Sequence, residues 1–129
     1  MRKICVLLLV LISFTGFATY AESDIISNDG YELLDACSYV SDDMSEMSKV
    51  ERIKARNCIG IMAGISITNK SEQDLGNTKL FFCIPDHAAN SDLAEVLVKY
   101  LNKHKNQLHR KVNDLIFSAF RKAFPCKPQ

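Results

Sequence analysis

Cys83 and His87 stand four residues apart, the separation at which a thiol and an imidazole on one helical turn form a nucleophile and its base. Pro85 lies between them and interrupts the helix that would align them, so the spacing does not read as a catalytic pair. His104 and His109 are five apart and fall on different faces of a helix, and the chain has no Cys-x-x-Cys, so no metal-ligand pattern is visible. Asp42 and Asp43 form a carboxylate pair, yet they sit in the polar stretch SDDMSEMSK, where nothing apolar is present to raise a carboxyl pKa for acid catalysis. The expectation is a protein with no catalytic constellation, no metal and no cofactor, in which the cysteines serve structure.

The residues before Glu22 indicate where such cysteines would be oxidised. Arg2 and Lys3 precede an apolar run from Ile4 to Ile12, and Thr19 and Ala21 supply the small residues of a secretory cleavage site. Ser13, Thr15, Gly16 and Thr19 interrupt the run too early for a membrane span, which needs about 20 apolar residues. We therefore expect a signal peptide over 1–21 and a single exported domain over 22–129, with no membrane attachment after cleavage. Cys5 leaves with the signal, and four cysteines stay behind: Cys37, Cys58, Cys83 and Cys126. An even set in a small exported domain reads as two disulfides.

Four elements position these cysteines. Asn28-Asp29-Gly30 is a turn signal, after which Tyr31, Leu33, Leu34, Cys37 and Val40 fall near helical spacing and predict a helix over about 31–41. Ser48 and Glu51 form a capping box that opens a second helix through Val50, Ile53, Cys58, Ile59, Met62 and Ile65. Gly60 and Gly64 share one face of it, a costly placement whose expected explanation is close packing of another element against that face. Residues 66–78 turn polar and are expected to form a surface loop. KLFFCIP predicts a short extended segment near 79–84. Asn90 or Ser91 is expected to cap a third helix, with Leu93, Val96, Leu97, Tyr100 and Leu101 in register, and a fourth carries Leu108, Val112, Leu115, Ile116, Ala119, Phe120, Ala123 and Phe124 until Pro125 stops it. The fold class is all-α, a small bundle of about four to five helices arranged as two hairpins.

Helical hairpins choose among the three cysteine pairings, because facing positions on antiparallel helices sum to twice the turn centre. Cys37 and Cys58 are centred at 47.5, inside SDDMSEMSK, and Cys83 and Cys126 at 104.5, inside NKHKNQ. The spacing therefore favours Cys37–Cys58 and Cys83–Cys126, the second tying down the chain end just after Pro125.

Charge is uneven along the chain. Residues 22–56 hold nine acids against four bases, whereas from Lys99 onward there are eight bases and one acid, Asp114. The basic end lacks interleaved surface aromatics, so a solvated helix face is the expectation there and nucleic acid is not. The acidic turn around Asp42, Asp43 and Glu46 and the loop with Ser71, Glu72 and Asp74 are candidate protein contacts by composition.

GYELLDAC at 30–37, CIGIMAGI at 58–65, FFCIPDHA at 81–88, LAEVLVKYLNKHKNQL at 93–108 and LIFSAFRKAFPC at 115–126 together resemble the Rap/Tai family of type VI secretion amidase immunity proteins. The pieces span nearly all of the expected mature domain, in order. The resemblance implies a periplasmic, disulfide-bonded, mainly helical protein that is not an enzyme. It also implies a cognate peptidoglycan amidase effector as partner, blocked at its active cleft, and a homodimer. A periplasmic helical binding or chaperone module without a toxin partner is the alternative.

Overall fold

The computed structural model describes residues 29–40, 43, 45–77 and 79–127. Among them are four α-helices and no strand: α1 (Gly30–Ser38), α2 (Lys49–Asp74), α3 (Asn90–Lys103) and α4 (Val112–Ala123), with a 3-10 turn at Lys105–Gln107 between the last two. The all-α bundle expected from the stripes is the architecture found. The segment 1–21, expected to be a signal peptide, lies outside the described residues.

Three of the four helices start where a side chain satisfies a backbone donor at the cap or in the first turn. The Asp29 carboxylate accepts from the Tyr31 and Glu32 amides at 2.9 and 3.2 Å. At α2, the Ser48 hydroxyl accepts from Glu51 N while the Glu51 carboxylate accepts from Ser48 N, the reciprocal pair read from sequence. At α3 the cap is Ala89, one residue ahead of the expected Asn90 or Ser91, because the Asp92 carboxylate accepts from the Ala89 amide at 2.9 Å and fixes the first turn there. Gly76, at φ 70°, takes the left-handed conformation that stops α2.

α1 packs on α2 and α3, and α3 packs on α2 and α4, which places α3 at the centre. Its inward residues Leu93, Leu97 and Leu101 are fully buried and meet Leu33 of α1, Met62 of α2 and Leu115 and Phe120 of α4 in one core. Disulfides join Cys37 to Cys58 and Cys83 to Cys126. The first lies inside the core and the second on its edge. The Asp35–Lys54 ion pair, at 2.5 Å, adds a polar tie between α1 and α2. Gly30 is where the hairpins meet: its N–H donates to Leu108 O at 2.7 Å, and a Cβ there would collide with the Leu115 side chain and lie 2.8 Å from Leu108 O. Only glycine fits that approach.

Two sequence expectations change. The polar stretch expected as a loop over 66–78 is helical as far as Asp74, so α2 has 26 residues. Its final turns are held by polar contacts of Asn69 and Gln73 rather than by an apolar stripe, which is why composition misread them. Gly60 and Gly64 do not mediate close packing: both are exposed, and a Cβ at either would meet nothing within 4 Å. The buried face of α2 runs through Ala55, Cys58, Met62 and Asn69, and the glycines lie off it. Helix-interior glycine costs up to about 1 kcal/mol relative to alanine. Gly60→Ala will therefore raise stability by about 1 kcal/mol and the melting midpoint by roughly 4–8 °C, a shift that thermal denaturation will read directly.

Candidate functional site

The segment 79–85 forms no strand, for no second strand lies beside it, and its backbone is held by side chains instead. Asn69, 7% exposed, donates from Nδ2 to Phe82 O at 2.8 Å and accepts at Oδ1 from Ile84 N at 2.8 Å. Gln73, one turn on, donates to Asn69 Oδ1 at 2.9 Å and to Ile84 O at 3.2 Å. From the other side, Cys83 N donates to Phe124 O at 2.8 Å, next to the Cys83–Cys126 bridge. Lys70 pairs with Asp86 at 2.7 Å; this contact holds the Asp86 carboxyl below the usual carboxylate range and the Lys70 ammonium above its own.

A segment fixed this way presents its side chains alternately in and out. Phe82 points inward, 5% exposed, and packs edge-on against Phe120 and Phe117. Phe81 points outward at 66% exposure, its ring edge-on to Phe117 at 5.5 Å. Between this segment, Phe117 of α4 and the Gly64–Glu72 face of α2 lies a mostly apolar groove of about 370 Å³, with Ile65, Thr68 and Leu80 in its walls and Glu72 and Lys79 on its rim. Ile67 and Leu75 add further exposed apolar surface on α2 and at its end. Exposed aromatics on a rigid support are the composition of protein-binding hot spots.

The charged candidates lie elsewhere. Asp42 falls outside the described residues. Asp43 and Glu46 are exposed before α2, and the Asp43 carboxyl is held below its usual range by its hydrogen bonds from Ser45. Ser71, Glu72 and Asp74 are not in a loop but on the last turns of α2: Glu72 accepts from Asn77 Nδ2 at 2.6 Å, and Asp74 lies 3.8 Å from Lys70. The two sets sit at opposite ends of a helix about 39 Å long, so the structure does not gather them into one surface; Glu72 alone reaches the groove. Cys83 spends its sulfur in the bridge, leaving no thiol beside His87, which is exposed. His109 is exposed as well, whereas His104 is half-buried, stacked on Tyr100 at 4.1 Å with Nδ1 donating to Tyr100 O. Among the described residues no cluster of three His, Cys, Asp or Glu side chains could hold a metal, and no helix is long and apolar enough to cross a membrane.

Comparison with known families bears on what such a surface does. A family model described as Rap1a immunity proteins matches residues 29–126, from the α1 cap to the last cysteine. The chain belongs to the Rap1a immunity protein family. No curated protein and no solved structure matches it. As a Rap1a-family protein it is an immunity protein against an effector, and its work is to bind that partner. The match covers both disulfides, the Asn69 contacts and both exposed phenylalanines. Sequence reasoning did not single out Phe81 or Phe117 as contacts, although two signals were present: adjacent phenylalanines in extended chain must face opposite ways, and Phe117 falls off the α4 stripe.

Proposed function

We propose that this protein acts in the periplasm, where it binds and blocks a peptidoglycan amidase effector of a type VI secretion system and so protects the cell that makes it. The family match over 29–126 carries the reading. Two disulfides fit an oxidising compartment, and the start of the chain resembles a cleaved signal peptide over 1–21 ahead of a single domain over 22–129. In this reading the Phe81–Phe117 groove is the apolar centre of the effector contact, and the protein works as a homodimer.

Tagged protein, co-expressed with a candidate small peptidoglycan amidase, is expected to capture that enzyme stoichiometrically and to stop its hydrolysis of peptidoglycan. A deletion strain should lyse when the amidase reaches its periplasm. Capture of no amidase, together with a deletion strain as resistant as its parent, would retire the reading. Phe81→Ala will weaken the complex by roughly thirtyfold or more, the loss typical of an interface hot spot, with an unchanged melting curve because the ring is largely exposed. Isothermal titration of the amidase with the variant checks it.

A further inference from the structure

We propose that a second groove, on the α3–α4 face, receives an acidic segment of the effector with an apolar side chain at its centre. This rests on the effector-binding reading above and adds a second contact to it. The groove, of about 250 Å³, has Val96, Ala119 and Ala123 in its lining and three ammonium groups around them: Lys99 and Lys103 from α3 and Lys122 from α4.

None of the three lysines makes an ion pair among the described residues, a state they share with other exposed lysines such as Lys49 and Lys111; what sets them apart is that they surround one apolar floor. The carboxylates of α3 itself, Asp92 and Glu95, line a different cavity, against the end of α1. Lys103 and Lys122 stand near helix C-termini, where the backbone dipole favours cations. That preference accounts for a charge at each helix end, but not for the convergence of both, with a mid-helix Lys99, around one apolar floor. Among the described residues no carboxylate pairs with this groove, so an acidic segment of a partner supplies the complementary charge in this proposal, and electrostatic complementarity of this kind sets association rate and orientation. A recessed apolar floor fits an aliphatic side chain flanked by carboxylates, which selects a protein segment over a lipid surface.

Two measurements test the assignment. In the first, a peptide with leucine between paired glutamates is titrated into isotopically labelled protein. Amide shifts are expected at Lys99, Tyr100 and Ala119; they should weaken with added salt, and they should be absent both in the Lys99→Gln/Lys103→Gln/Lys122→Gln variant and with the glutamine version of the peptide. In the second, the amidase complex is titrated with the same variant, whose surface substitutions leave the melting curve in place. Affinity should fall about a hundredfold, mainly through slower association and with a flatter salt dependence; the triple arginine variant should retain it.

Shifts confined to other faces, or an amidase affinity unchanged by the triple glutamine variant, would overturn the groove while leaving the immunity reading intact. So would a groove that answers only to anionic phospholipid vesicles, or a variant whose sole defect is loss of self-association. Failure of wild-type protein to bind any amidase would instead sink the immunity reading, and the peptide titration would still decide the chemistry of the groove.

Discussion

Reduction of both disulfides will leave the protein largely unfolded at physiological temperature. The bridges close loops of 21 and 43 residues, for which chain entropy gives about 3 and 4 kcal/mol. Together, about 7 kcal/mol matches the whole stability of many domains this small, roughly 5–15 kcal/mol. Removing the first bridge also strips contacts from the core, since Cys37 and Cys58 are almost fully buried beside Leu33 and Met62. Circular dichroism of oxidised protein against reduced, alkylated protein is the measurement, and the midpoint should fall by several tens of degrees. A drop of less than about 5 °C would mean that the core suffices without the bridges. The paired variants Cys37→Ala/Cys58→Ala and Cys83→Ala/Cys126→Ala should each retain part of the stability.

The second large effect comes from a neutral side chain. Asn69→Ala will cost about 2–6 kcal/mol, because it leaves the buried Ile84 N–H and the Phe82 carbonyl without partners, at about 1–3 kcal/mol for each orphaned group. Alanine also strands Gln73, which keeps only its bond to Ile84 O. The loss should be local before it is global. In native-state hydrogen exchange, the Ile84 amide should lose its protection while Leu97 and Leu101, at the centre of the core, fall only by the global change. Protection at Ile84 equal to that of wild type would show that the amide has another acceptor. Gln73→Ala, which removes only the outer member, should cost about 1 kcal/mol. Because Asn69 holds the segment that presents Phe81, Asn69→Ala should also weaken effector binding beyond what its stability loss explains.

How far the chain could be read follows from where its fold depends on apolar periodicity. α1, α3 and α4 were legible because Leu33, Leu97, Leu115 and their neighbours recur at helical spacing and are the residues that the bundle buries. The second half of α2 was not, since its inward positions include Asn69 and Gln73, whose partners are backbone groups 11 to 15 residues downstream. A hydrogen bond to irregular chain leaves no hydrophobic signature. The glycine face of α2 misled for the opposite reason: its spacing matched a packing motif, while among the described residues nothing comes within 4 Å of where a Cβ would stand at Gly60 or Gly64. As for the site, the acidic stretches stood out by composition, whereas the aromatic groove exists only because α2, α4 and the 79–82 segment converge. Charge is visible in one dimension; a recess is not.

The order of the two sulfur pairs along the chain has a kinetic corollary. Cys37 meets Cys58, the next cysteine after it, and Cys83 meets Cys126, so the covalent circuits neither overlap nor nest. In the exported reading proposed above, with Cys5 removed in the signal peptide, a polypeptide oxidised from its N-terminus joins first neighbours by default, and the default product is the native one. On that reading maturation calls for an oxidant and no isomerase.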